Sequence, residues 1–307
     1  MQVEDLEVIL KVAEFRSITA AAESLDMRVA TASAAIKRVE KQLGAELFIR
    51  TTRQLRLSAA GERYIPSCQE AVAMLAQAHQ HVKEELAVID GELRLALSSD
   101  LGRNIVVPWL DEFLTVHPSV KLKINLSDSN IDFYRDAVDI ALRYGSPTDS
   151  NLYGFKICDV PGLLCATEEY LSEFGEPKHP QELVRHNGLF YQLYDVIHDV
   201  WTFSKDGESF KIKMHGNRAS NDGDLVRRWC VSGKGLAVKS SLDMSNDLVD
   251  KRVVPVMNDY QARKTELWLV CPSRQSITPA VRLLRDFIKM KCHDVFEQLR
   301  NEGILPK

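Results

Sequence analysis

The apolar positions of the first sixty residues fall at helical spacing in three short bursts. Val3, Leu6, Ile9, Leu10 and Ala13 mark a helix ending near Arg16. Ser17 is placed to cap a second helix, Ile18 to Leu25, whose run Ala20, Ala21, Ala22 is small enough to let another helix cross closely. Asp26 and Met27 form a turn, Asp being one of the few non-glycine residues that tolerate left-handed backbone. A third helix spans about Arg28 to Leu43, with Ala32, Ile36, Val39 and Leu43 inward and Gly44 as its stop. The period then changes. Leu55 and Leu57 alternate with Gln54, Arg56 and Ser58, the mark of a strand, and with Leu47, Phe48 and Ile49 ahead of them they predict a β-wing. Three helices with a tight turn between the second and third make a winged helix-turn-helix. A plain three-helix bundle is the bland alternative.

From Ser58 to about Ile89 the inward positions are Ile65, Cys68, Val72, Leu75, His79, Val82, Leu86 and Ile89, in alternating steps of three and four. That is the seam of a coiled coil, and it predicts a long linker helix that meets a second copy in a homodimer. Packing of the stripe onto the chain's own core is the alternative. Pro66 lacks an N–H, so a kink is expected near Glu62. His79 on the seam reads as a packed polar residue.

After Gly91 strands and helices alternate. Leu93–Leu97, Lys121–Leu126 and Asp139–Tyr144 read as strands, with a helix over Ile105–Val116 and a short one near Phe133, a βαβαβ unit with a parallel sheet. A second set has strands at Leu163–Ala166 and Gly188–Leu193, helices near Tyr170 and Gln181, a hairpin turning at Lys205-Asp206-Gly207, a helix Gly223–Val231 and a strand Leu236–Lys239. TELWLVCP reads as a returning strand, and a long helix from Pro279 closes the chain. The fold class is therefore α+β multidomain, in three parts: 1–58, a linker 59–90, and 91–307.

Charge changes the picture. The chain carries −4 overall, but residues 28–63 hold eight Lys and Arg against three Glu, a local +5 that leaves −9 for the remainder. A basic module on an acidic body points to a DNA-binding head. In a helix-turn-helix the early residues of the third helix face base edges, here Thr31, Ser33 and Ala34 with Arg28 at the start. Lys37, Arg38 and Lys41 lie further along, toward phosphates. The wing adds Arg50, Thr52, Arg53, Gln54 and Arg56. The partner is double-stranded promoter DNA.

The six cysteines form no CxxC pair and no zinc spacing, so neither a metal nor a cofactor is expected. No stretch approaches the roughly 20 apolar residues that span a bilayer, and the acidic N-terminus is unlike a signal peptide. A soluble cytoplasmic protein without membrane partners is the expectation.

The string IKRVEKQLGAELFIRTTRQLRLSAAG closely resembles the signature of LysR-type transcription regulators, matching at Ile36, Arg38, Glu40, Leu43, Gly44, Leu47, Phe48, Arg50, Arg53, Leu57 and Gly61. Two positions depart from it: Arg28 stands where the family has a Ser-like cap, and Ala34 where Arg often follows the residue aligned with Ser33. The resemblance implies a two-lobed, periplasmic-binding-protein-like effector domain, with lobe 1 at 91–160 and 265–307 and lobe 2 at 161–264. It implies crossings near 160 and 264, a small-molecule effector between the lobes, and dimers that assemble into a tetramer. It places the cleft walls at Ser98, Ser99, Asp100, Asp128 and Ser129 from one lobe. Phe190, Tyr191, Asn221 and Asp222 come from the other. Asp128 and Asp222 would oppose an acidic effector. For each Ser, Asn or Asp taken singly, a simple helix cap is the plainer role.

Two rivals remain at this level. An enzyme would need a motif, and Gly233-x-Gly235 has Val238 where a third glycine would stand. A redox sensor of the same family would use Cys158, Cys165, Cys230 or Cys271.

Overall fold

The computed structural model describes residues 2–50, 55–85, 91–129, 133, 136–147, 149, 151–193 and 195–306, and of residues 50 and 76–85 the backbone alone. The chain forms two compact units, Met1–Val88 and Ile89–Lys307.

In the first unit, α1 (Val3–Phe15), α2 (Ile18–Ser24) and α3 (Val29–Leu43) precede a hairpin of β1 (Phe48–Arg50) and β2 (Leu55–Leu57), then α4 (Ala59–Glu85). The local signals act as expected. Ser17 caps α2 by accepting from Ala20 N, Asp26 has φ 51°, and Gly44 ends α3 at φ 67°. Ala21 and Ala22 are fully buried where the helices cross. The core is Val8, Ile9, Val12, Ala32, Ala35, Ile36, Val39, Leu47 and Phe48. Full burial of a Val, Ile or Phe contributes about 1.5–3 kcal/mol each. Two inward assignments need correction. Val3 and Leu43 are exposed, while Val8, Val12 and Ala35 carry the core, because Val3 and Leu43 are the terminal residues of α1 and α3 and extend past the packed faces.

The α4 stripe divides. Ile65 and Cys68 are buried in the head's own core with Val72 packed against it, so the alternative reading holds for this half. Met74 and Leu75 are 62% and 45% exposed, and His79, Val82, Leu86 and Ile89 lie outside the described side chains. Pro66 sits inside the helix.

The second unit starts with β3 (Gly91–Leu97), which runs directly into α5 (Ser99–Leu101), a π-helical turn (Gly102–Val106) and α6 (Val107–Val116). Next come β4 (Val120–Leu126) and β5 (Ile140–Tyr144), both parallel to β3. The short helix expected near Phe133 falls mostly outside the described residues. Then follow β6 (Tyr153–Ala166), α7 (Glu168–Phe174), a 3-10 turn (Pro180–Arg185), β7 (Leu189–Leu193) and β8 (Val196–Ile197). The hairpin of β9 (Val200–Lys205) and β10 (Glu208–Lys213) turns at Asp206 and Gly207, both at positive φ, as its two-residue loop requires. The chain ends with β11 (Arg218–Ser220), α8 (Gly223–Val231), β12 (Ala237–Ser240), α9 (Ser245–Val249), β13 (Val254–Val256), β14 (Gln261–Cys271) and α10 (Pro279–Asn301).

The crossings between lobes are not loops. The strand expected at Leu163–Ala166 is the end of the 14-residue β6, which pairs antiparallel with β14 through Tyr153–Gly162 and with β12 and β13 beyond. One nine-stranded sheet, β10-β9-β14-β5-β3-β4 with β6, β12 and β13 attached, therefore runs through both lobes. The register slips between Ala262 and Thr265, and such irregularities bend a strand. Opposite the slip, a Cβ on Gly162 would lie 2.4 Å from the Arg263 carbonyl oxygen, so only glycine fits. The core of lobe 1 is continuous with residues under α8 and α9, and a second cluster around Phe190, Trp201 and Phe203 fills lobe 2.

Candidate DNA-binding face and effector cleft

On α3 the buried Ala32, Ala35, Ile36 and Val39 turn the other side outward. Arg28, Thr31, Ala34, Lys37 and Lys41 are exposed there, with Ser33 half-buried. Arg28 is the N-cap residue but makes no side-chain cap bond, so its guanidinium is not spent on its own helix. Arg38 differs. Its Nη2 and Nε donate to the buried Asp5 at 2.5 and 3.2 Å, a fork that ties α3 to α1 and holds the Asp5 carboxyl below its usual range. Other signature residues are also scaffold. Glu40 Oε1 accepts from Leu47 N at 2.8 Å and Phe48 N at 3.2 Å, fastening the wing to α3. Ser58 accepts from Gly61 N and donates to Glu46 O. A Cβ on Gly61 would meet the Leu47 carbonyl oxygen at 2.3 Å. Arg50 is on β1 with its side chain undescribed, and Thr52, Arg53 and Gln54 lie outside the described residues.

In the second unit two adjoining cavities open between the lobes. The outer one, about 510 Å³, is walled by Ser127, Asp128 and Ser129 from lobe 1 and by Tyr191, Gln192 and Asn221 from lobe 2. The inner one, about 380 Å³, reaches Ser98, Asp100, Arg143, Tyr144, Lys239 and Asp243. Of the expected wall residues, Ser98, Asp100, Asp128, Ser129, Tyr191 and Asn221 line this space. Phe190 does not. It is buried in the lobe 2 core against Trp201, because successive residues of a strand point to opposite faces and Tyr191 takes the cleft side. Ser99 is buried and spends both its N–H and its hydroxyl on Asp128. Asp222 caps α8, accepting from Asp224 N and Leu225 N, and meets Arg103 Nη1 of the opposite lobe at 3.1 Å. It holds the lobes together at the cleft's edge.

The floor carries a buried charge cluster. Lys239 Nζ bonds Asp100 Oδ2, lies 4.0 Å from Asp243 and donates to Gly223 O at 2.9 Å. Burial works to lower the Lys239 pKa, but the charges of Asp100 and Asp243 outweigh it and raise it. Asp243 accepts from Tyr144 OH at 2.6 Å. Burial first, and then the charge of Asp100, push the Asp243 carboxyl up to about 7 against the pull of Lys239. Tyr191 is pushed up to about 12 by burial and by Asp128. Arg143 Nη2 is bound by Ser127 O at 2.9 Å and by Ser129 O. Ser98 Oγ is buried with no hydrogen-bond partner among the described residues. Arg143, Tyr144, Lys239, Ser240 and Asp243 escape a sequence reading. Each is one residue of a strand end or turn, and only the crossing of β6 and β14 brings them together.

The thiols divide as well. Cys165, Cys230 and Cys271 are buried, and burial pushes Cys230 and Cys271 up to about 12, unlike a reactive thiolate. Cys158 is half-buried, and a hydrogen bond with Cys292 draws its thiol below the ordinary range. Among the described residues no group of His, Cys, Asp and Glu is placed to hold a metal, and no helix is long and apolar enough to cross a membrane.

The chain is similar over nearly its whole length to transcription regulators. The HTH-type transcriptional regulator DmlR of Escherichia coli (strain K12) is 29% identical over 285 residues, which cover 93% of this chain and 92% of DmlR. The HTH-type transcriptional regulator CrgA of Neisseria meningitidis serogroup C (strain 8013) is 29% identical over 286 residues, covering 93% and 95%. Among solved structures, CrgA from Neisseria meningitidis superposes with a TM-score of 0.60 at 26% identity, over 96% of this chain and 99% of that one. Full-length AphB of Vibrio cholerae gives 0.56 at 26% identity, over 94% and 98%. The family model for the bacterial regulatory helix-turn-helix protein of the lysR family matches residues 3–62, and that for the LysR substrate binding domain matches residues 87–293. The chain belongs to the LysR family: it is a DNA-binding transcription regulator with an effector-binding domain.

Proposed function

We propose that this regulator acts in the cytoplasm as a homodimer, or a tetramer of two dimers, on promoter DNA, and that it is not an enzyme. Residues 1–58 form its winged helix-turn-helix, 59–90 its linker helix and 91–307 its effector domain, with lobe 1 at 91–160 and 265–307 and lobe 2 at 161–264. Thr31, Ser33 and Arg28 read base edges, and Lys37 and the wing residues Arg50, Thr52, Arg53 and Gln54 hold the backbone. Arg38 acts mainly by fixing α3 on α1. The observation that carries this reading is the sorting of α3, whose cations and small polar residues stand outward over a buried Ala-rich face. The cleft holds a small-molecule effector, whose binding shifts the population between two packings of the dimer and so the angle between the heads.

Anisotropy of a labelled fragment from the upstream region of the regulator's own gene, titrated at several salt concentrations, tests the DNA half. Lys37→Ala should flatten the slope of log affinity on log salt by about one without changing sequence preference. Arg28→Ala should weaken binding to the specific site more than to random duplex. A wild-type chain that holds no such fragment even at low salt sinks the reading.

A further inference from the structure

The wall shared by the two cavities contains a carboxylate of the protein's own. Asp128 Oδ2 accepts from the backbone N–H of Gly223, the first residue of α8, at 2.7 Å, and from Ser99 Oγ at 2.5 Å. Asp128 Oδ1 accepts from Ser99 N at 2.7 Å. Three donors from two lobes thus converge on one carboxyl group. Gly223 N opens the nine-residue helix α8, whose next two N–H groups are already taken by the Asp222 cap, so Asp128 stands where an anion at this N-terminus would otherwise sit. The two lobes are in ordinary van der Waals contact here: a Cβ on Gly223 would lie 3.4 Å from Asp128 Oδ2 and 3.5 Å from Asp100 Cβ.

The two cations of the lining have their donors engaged, Lys239 by a carboxylate and Arg143 by neutral carbonyl oxygens. Lys239 is held by Asp100 and by Gly223 O, and Arg143 by Ser127 O and Ser129 O. Beyond these pairs the lining offers hydroxyl and amide groups: Ser98 Oγ, which has no hydrogen-bond partner among the described residues, with Tyr191 and Asn221. An incoming carboxylate or phosphate would find its donors taken and would face Asp128 itself. Like charges at that range in a partly desolvated site repel strongly.

We infer that Asp128 is the specificity-determining residue of this cleft: it fills the anion seat from within, closes lobe 1 onto lobe 2, and leaves room for a neutral, hydrogen-bonding effector. The inference rests on the cleft being the effector site and deepens that reading. It requires that small anions leave the wild-type chain alone, and that removing the Asp128 carboxyl creates a seat they can occupy.

The experiment is chemical rescue on the full chain. Wild type, Asp128→Gly and Asp128→Asn are melted in chloride, and again with acetate, succinate or inorganic phosphate replacing chloride at fixed ionic strength. Acetamide is the neutral control. Wild type should not respond to acetate beyond its response to acetamide. Asp128→Gly should melt lower, and acetate should restore it saturably by roughly several degrees, as expected for a ligand bound only by the folded state. Should Asp128→Gly be unfolded in chloride, refolding on acetate gives the same answer. Asp128→Asn keeps the seat filled and should stay blind to acetate. With the melt read by tryptophan fluorescence, which reports the regulatory unit alone, a wild-type chain stabilised saturably by acetate, succinate or phosphate overturns the inference, and so does an Asp128→Gly chain that no anion stabilises. Neither outcome touches promoter binding, so a chain that binds DNA without anion rescue loses this inference alone, and one rescued by acetate that binds no DNA loses the other.

Discussion

In the head, Arg28, Lys37 and Lys41 stand on the open side of α3, whereas in the regulatory unit Asp100, Lys239 and Asp243 are folded into the floor between two lobes. The same residue types thus do opposite work. Exposed cations in water cost the fold little and remain available to a polyanion. Buried ions must satisfy each other, since each carries a desolvation penalty of several kcal/mol that only a partner offsets. The first arrangement tolerates substitution and tunes affinity. The second does not, and it couples the lobes: Asp100, Arg103, Asn104 and Tyr144 of lobe 1 reach Lys239, Asp222, Asp224 and Asp243 of lobe 2.

The contrast can be broken most directly at Lys239. Lys239→Met leaves Asp243 buried without its cation and Asp100 with only the more distant Arg227, 3.9 Å away, and should cost about 3–5 kcal/mol. All four tryptophans, Trp109, Trp201, Trp229 and Trp268, lie in the regulatory unit, so urea unfolding followed by their fluorescence reads that unit alone. A loss below about 1 kcal/mol would mean the cluster is not held as an ion pair.

Gly61→Ala probes the head at a steric point. The new Cβ would press on the Leu47 carbonyl and should cost about 1–3 kcal/mol. The far-UV dichroism melt should move while the tryptophan melt stays. Equal movement of both would show that the units do not unfold separately.

The subtlest effect to read is in pH, because it appears as a slope and not as a single loss. Asp243 titrates near 7 when folded, against an ordinary 3.8. Between those values the folded chain holds the extra proton, so this group makes stability fall as pH rises from about 4 to 7. The groups facing it are Asp100, Lys239, Tyr144 and Ser240. Asp243→Asn removes the titration, so its unfolding free energy relative to wild type, read from urea titrations, should rise steadily through that window. A difference independent of pH would mean that Asp243 is ionised throughout.

The head was largely legible because its signals are local. Caps, turn residues and the i, i+3, i+4 pattern act within one or two turns, so α2, α3 and the wing appear at their expected places. The errors at Val3 and Leu43 arose where a large apolar residue at a helix end is left in water. The cleft was legible only where it follows a strand end or precedes a helix, as with Ser98, Asp100, Asp128 and Asn221. Phe190 failed by one step of strand alternation, which sequence spacing alone does not orient.

The sequence by itself determined the kind of protein: a basic head with a helix-turn-helix rhythm, followed by an acidic α/β body with its glycines at the stops. Only the tertiary structure decided that Arg38 belongs to Asp5, that half of the α4 stripe belongs to the head, and that Asp128 holds Gly223 and Ser99. Local periodicity fixes which face of an element is apolar. Which polar groups meet depends on elements brought face to face across 95 or 119 residues, as in Asp128 with Gly223 and Arg103 with Asp222, and no short-range pattern encodes that pairing.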